Sequence, residues 1–156
     1  MEQAIVGPLH AYLAGIGRDG KGRTLYDVLD LPNVPLEYIH DYIQWLFPLP
    51  VPSSAQPTAP VLTEAEIQAI RIDPRCQANL DRAGQRMLAF YRQTRGWLRK
   101  SDHNHLRITR IIQSLRLLVG DEAAQAFHDE VVALVEEAGA PVDPANQRYW
   151  TRALED

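Results

Sequence analysis

A chain of 156 residues with a net charge of −4 and 46% hydrophobic residues has the size of one domain, and such a domain buries roughly 70% of the surface its unfolded chain exposes. Its apolar runs fall well short of the roughly 20 residues that cross a bilayer, and no charged flank followed by a hydrophobic run opens it, so a soluble protein without a transmembrane segment or cleaved signal is expected. The single cysteine, Cys76, excludes an internal disulfide and a cysteine-based zinc cluster, and with its polar helical surroundings it suits a reducing, cytoplasmic compartment.

Charge is unevenly distributed. Residues 71–116 hold eleven Lys/Arg against three Asp/Glu, while the rest holds five against seventeen. A basic middle packed against acidic outer helices explains the split, and a phosphate-binding surface is the alternative.

In chain order, Ile5, Leu9, Tyr12 and Leu13 recur at helical spacing around Gly7-Pro8, which predicts a short helix starting properly at Pro8. Gly15 to Arg23 is glycine-rich but lacks the terminal Gly-Lys-Ser/Thr and preceding strand of a phosphate loop, so a flexible turn is expected. Thr24 should cap a short helix reaching Leu29. The spacing of Leu36, Ile39, Ile43 and Leu46 then predicts a central helix from Pro35 to Phe47, widened by Tyr38, Tyr42 and Trp45 and stopped by Pro48. Residues 48–60, with five prolines, read as a non-helical structural loop. Thr63 and Glu66 form a capping box, and Asp73-Pro74 starts a long helix expected to reach Leu98. Ser101 or Asp102 caps a helix with an Ile108, Ile111, Ile112, Leu115 and Leu118 face, ended by Gly120. Asp121 begins its antiparallel partner, and Asp143-Pro144 a last helix carrying Tyr149, Trp150 and Leu154. No alternating strand pattern or internal repeat occurs.

Chemical motifs are sparse. His103 and His105 in Asp102-His103-Asn104-His105 would point apart on a helix, which favours capping over metal ligation. His40-Asp41 and His128-Asp129 resemble the pairs of metal-dependent phosphohydrolases, an enzyme alternative that rests on two common dipeptides. Arg107, Arg110 and Ser114 share a face opposite the isoleucines, where two guanidiniums could clamp an anion. Nucleic-acid binding by residues 71–116 would need aromatics free to stack, and here they occupy core positions.

Two blocks resemble the conserved domain of the opioid growth factor receptor family. One is Tyr42-Ile43-Gln44-Trp45-Leu46-Phe47-Pro48-Leu49, preceded by Leu36-Glu37 and His40. The other is His103-Asn104, Leu106-Arg107-Ile108-Thr109-Arg110-Ile111 and Ser114-Leu115. Ala59-Pro60, Leu62-Thr63, Glu66-Ile67, Met87-Leu88 and Phe90-Tyr91 fit between them. The resemblance implies a helical domain and, in animal members, reception of an enkephalin peptide; the chain resembles a bare, microbial-type member.

The expectation is an all-α single domain over residues 1–156, of about seven or eight helices, best matching the family over 36–118. It is expected to be a non-enzymatic binding or interaction module with an unknown peptide or protein partner, or a small anion, and with no cofactor, metal or catalytic residue. Candidate ligand-binding residues are His40, Gln44, Trp45, His105, Arg107 and Arg110. Alternatively, Gln44 and Arg107 satisfy buried backbone carbonyls.

Overall fold

The computed structural model describes residues 3–155 and is helical throughout, with nine helices and no strand among these residues. It divides into two compact units, the first running to Ala83 and the second from Gly84.

The first unit contains α1 (Pro8–Leu13), α2 (Leu25–Leu29), α3 (Asn33–Tyr38), α4 (Ile43–Leu46), α5 (Glu64–Ile72) and the start of α6 (Pro74–Gln93). Here α1 packs on α4 and α5 through a core that includes Leu9, Leu13, Leu46, Ile67 and Ile70. The expected Thr63–Glu66 capping box forms, and the expected Thr24 cap proves to be a second box, closed by Asp27.

The expected helix from Pro35 to Phe47 is instead two short helices separated at residues 39–42. Ile39 turns extended, at φ −84° and ψ 126°, and the Tyr42 hydroxyl donates to the Leu36 carbonyl at 2.6 Å. That carbonyl would have accepted the His40 amide in a continuous helix. A buried side chain thus takes over a helical hydrogen bond, and the chain bends. Leu36, Tyr42, Ile43, Leu46 and Phe47 are buried as expected, but Tyr38 is 75% exposed.

Glu66 joins α5 to α1. Its Oε1 accepts from the Thr63 amide and hydroxyl, and its Oε2 accepts from the Leu9 and His10 amides at 2.9 and 3.1 Å. Gly7 offers no side-chain cap to α1, so a carboxylate from another helix supplies the acceptor that orphan N–H groups require. The proline-rich stretch forms no helix, and its base is closed by the Leu62 amide donating to the Leu49 carbonyl at 3.0 Å.

The second unit comprises the rest of α6, α7 (His103–Leu118), α8 (Asp121–Glu137) and α9 (Pro144–Ala153), with α7 packed against both α8 and α9. Helix α6 ends at Gln93, five residues before the expected Leu98. The Trp97 indole donates to the Tyr91 and Thr94 carbonyls at 3.0 and 3.1 Å, and the Thr94 hydroxyl to the Phe90 carbonyl. The Trp97 indole thereby occupies carbonyls that another turn of helix would have needed, while the Phe90 carbonyl keeps the Thr94 amide as well. Asp102 and Asp143 cap α7 and α9. Gly139, with φ 85°, follows α8 in the left-handed conformation that favours glycine.

Candidate functional site

Within the first unit, the glycine-rich loop is ordered around an aspartate. The buried Asp19 carboxylate accepts from the Lys21 amide at 2.9 Å, the Arg23 amide at 3.0 Å and Arg23 Nε at 2.7 Å. Its own amide donates to the Arg23 carbonyl at 2.8 Å, and Gly22 supplies the positive φ, 78°, that closes the turn. Arg23 also reaches Asp41, in the break between α3 and α4, at 2.8 Å. One guanidinium therefore serves two carboxylates.

Beside this chain of charges lies a cleft of about 280 Å³, lined by Gly20, Lys21, Arg23, Asp41 and Trp45 together with Gln56, Thr58 and Ala59 from the proline-rich loop. Trp45 is half-buried and meets Tyr12 edge-on at 5.4 Å. Burial, followed by the nearby Asp19 charge, pushes the Tyr12 phenol well above its ordinary pKa. Its hydroxyl has no hydrogen-bond partner.

Of the candidate residues in this unit, Trp45 opens onto the cleft, whereas Gln44 is 3% exposed and its Oε1 has no partner. His40 is exposed in the helix break. In the second unit, His105 is buried and fully engaged: Nε2–H donates to the Trp97 carbonyl at 2.8 Å, while Nδ1 accepts from Asn146 at 3.0 Å. Those two bonds fix one neutral tautomer. The ring meets Trp150 edge-on, and the His105 carbonyl accepts the Trp150 indole N–H.

Arg107 is 6% exposed and donates to Asn104 Oδ1 at 3.4 Å. Arg110 is half-buried, and burial pulls its guanidinium down to about 10. Ser114 is fully buried, so the face expected opposite the isoleucines is no open anion clamp. Elsewhere in the basic segment, Arg75, Arg92, Arg99 and Arg116 pair with Asp73, Glu130, Asp102 and Asp121.

His10, Asp73 and Cys76, all buried, bring ligand-type atoms within 4.8 Å of one another. Their hydrogen bonds match a structural network better than a metal centre. The Val6 amide donates to His10 Nδ1, which leaves the proton on Nε2, pointed at Asp73 at 2.8 Å. A metal would need that nitrogen deprotonated. Arg75 holds the Asp73 carboxyl well below its ordinary range, and burial pushes the Cys76 thiol up to about 12. Cys76 is thus in the core, not on a polar face, and suits no nucleophile. Among the described residues neither His40-Asp41 nor His128-Asp129 belongs to a three-donor cluster; Asp41 pairs with Arg23, and Asp129 is bonded by His128 and Gln125.

Sequence reasoning named Trp45 as a candidate but not Lys21, Arg23 or Asp41, which line the cleft beside it. The available signal was the Asp19-x-Lys21-x-Arg23 spacing, which lets an aspartate bind the amides two and four residues on.

Residues 32–138 match the family model described as the opioid growth factor receptor conserved region. The chain therefore belongs to that family. Opioid growth factor receptors from Rattus norvegicus, Mus musculus and Homo sapiens are each 38% identical over 51% of this chain. The aligned part covers 17%, 15% and 14% of those receptors, so the chain spans less than a fifth of their length. No solved structure matches it. Among the described residues no helix is long and apolar enough to cross a membrane.

Proposed function

We propose that the chain is a non-enzymatic binding module whose ligand docks at the cleft around Trp45. One observation carries this reading: Trp45, a signature-block residue, lines this cleft beside charged groups from two loops, whereas His105 is spent on Trp97 and Asn146. The lining is mostly polar, and charged groups converging beside one aromatic face can orient a small polar ligand. The relatives are opioid growth factor receptors, which agrees with binding and makes a peptide the first ligand to try.

The test is a ¹H–¹⁵N titration of the full chain with short peptides, enkephalins included, with Trp45→Ala as control and thermal unfolding as the check on folding. Shifts confined to residues 20–23, 41–45 and 56–59, absent in folded Trp45→Ala, support the proposal. Shifts confined elsewhere, or no response to any peptide or small ligand, overturn it. Manganese- or zinc-dependent cleavage of a model phosphodiester to its monoester and alcohol would replace it with the hydrolase alternative.

A further inference from the structure

The cleft's charged groups are unequally satisfied. Arg23 is shared between Asp19 and Asp41, so that corner has more negative than positive charge. Asp41 gives one oxygen to Arg23, and among the described residues its other oxygen has no hydrogen bond. Lys21 has the opposite imbalance: its backbone is fixed by Asp19, but its exposed ammonium has no carboxylate partner among the described residues. Among the described residues the Gln56 side-chain amide and Thr58 hydroxyl are similarly uncommitted. With Asp19 behind its wall the charges balance, and among the described residues the cleft offers one open cation, one open anion and an indole wall.

A purely anionic ligand would satisfy Lys21 but crowd Asp41, and a purely cationic one would do the reverse. Like charge brought beside an unpaired group opposes binding, whereas opposite charge favours it. An uncharged aromatic would use Trp45 and leave both ions to water. A volume of about 280 Å³ also lies just below the roughly 300–1,000 Å³ of sites for drug-sized ligands, which limits the occupant to about one amino acid.

Resting on the reading that this cleft is the ligand site, we propose that it binds a small aromatic zwitterion, the simplest being a free aromatic α-amino acid. Its carboxylate meets Lys21, its ammonium meets the open oxygen of Asp41, and its ring packs on Trp45. Gln56 and Thr58 supply further polar contacts. Because the charged groups are partly solvated, the expected Kd is on the order of 0.1–1 mM.

Calorimetry and ¹H–¹⁵N spectra of the full chain with L-phenylalanine test this against three truncated probes: N-acetyl-L-phenylalanine, L-phenylalaninamide and L-alanine. Each lacks one of the three required features, and each should bind at least about tenfold more weakly, one lost charge pair or ring contact being worth a factor of that order. Lys21→Ala, an exposed change that leaves the thermal midpoint in place, should weaken L-phenylalanine about tenfold and leave L-phenylalaninamide unaffected. No binding at 10 mM, equal binding of the free and acetylated amino acid, or indifference to Lys21→Ala overturns the proposal. Should a peptide bind in a Trp45-dependent way while the amino acid is silent, the ligand class falls and the binding module stands. If neither perturbs the cleft, both fall.

Discussion

Gly7 lies against the Glu66 carboxylate so closely that a methyl group in its place would overlap Oε2 and come within 2.8 Å of Cγ. The constraint comes from space, since the Gly7 backbone is extended. Gly7→Ala should displace Glu66 from the α1 amides and cost about 1–3 kcal/mol. Glu66→Ala should cost about 2–3 kcal/mol by leaving the Leu9 and His10 donors without their acceptor. The double variant should lose less than the sum, because the second change disrupts contacts already gone. Urea unfolding of the four proteins measures this, and strict additivity would contradict it.

Tyr12→Phe should raise stability by about 1 kcal/mol. The hydroxyl is buried without a partner, so removing it ends a desolvation cost and sacrifices no hydrogen bond. The ring's contact with Trp45 survives. A variant less stable than wild type would show that the hydroxyl is bonded in solution.

His105→Phe should be destabilised by about 2–3 kcal/mol, although it keeps an aromatic ring against Trp150. The histidine's bonds to the Trp97 carbonyl and from the Asn146 amide are lost at once, although the Trp97 carbonyl keeps the Arg99 amide and Asn146 keeps the Lys100 carbonyl. Asn146→Ala removes one of these bonds, and a double-mutant cycle should show coupling of about 1 kcal/mol between the two positions.

Acid should destabilise the protein partly through Asp73. Its carboxyl is held below its ordinary pKa first by Arg75, then by His10. A depressed carboxyl stabilises the fold fully above its unfolded pKa, about 3.9, and that contribution is lost as pH falls towards the folded value. Asp73→Asn should be less stable at pH 7 and should lose less stability between about pH 4 and 2. Asp27, Asp102 and Asp129 are lowered too, so an acid limb remains, only shallower. An unchanged slope would exclude Asp73 as a contributor.

Features legible in the sequence depend on neighbours within a turn or two. The Thr63-Glu66 box, the Asp102 cap and the starts at Pro74 and Pro144 all stand where the local pattern puts them. What the pattern hides is a side chain serving a distant backbone. Tyr42 breaks the expected central helix by taking the Leu36 carbonyl, and Trp97 ends α6 early. Glu66 looks like an ordinary capping residue until α1 is seen docked 57 residues away. The cleft was half-visible. Trp45 lies in a signature block, but its charged neighbours come from a loop whose composition suggested only a turn. Arg107 and His105 read as surface chemistry because spacing says which face a residue occupies and nothing about how much of the helix is covered.

The three tryptophans divide unevenly, with Trp45 half-buried in the first unit and Trp97 and Trp150 enclosed in the second. Light absorbed by the indoles consequently samples two environments. In a Trp45→Phe protein every emitted photon excited through tryptophan originates after Gly84, and its red shift during denaturation times the second unit alone. Subtracting that trace from the parent's leaves a signal from the cleft wall, so one cuvette experiment can say whether the two units melt together.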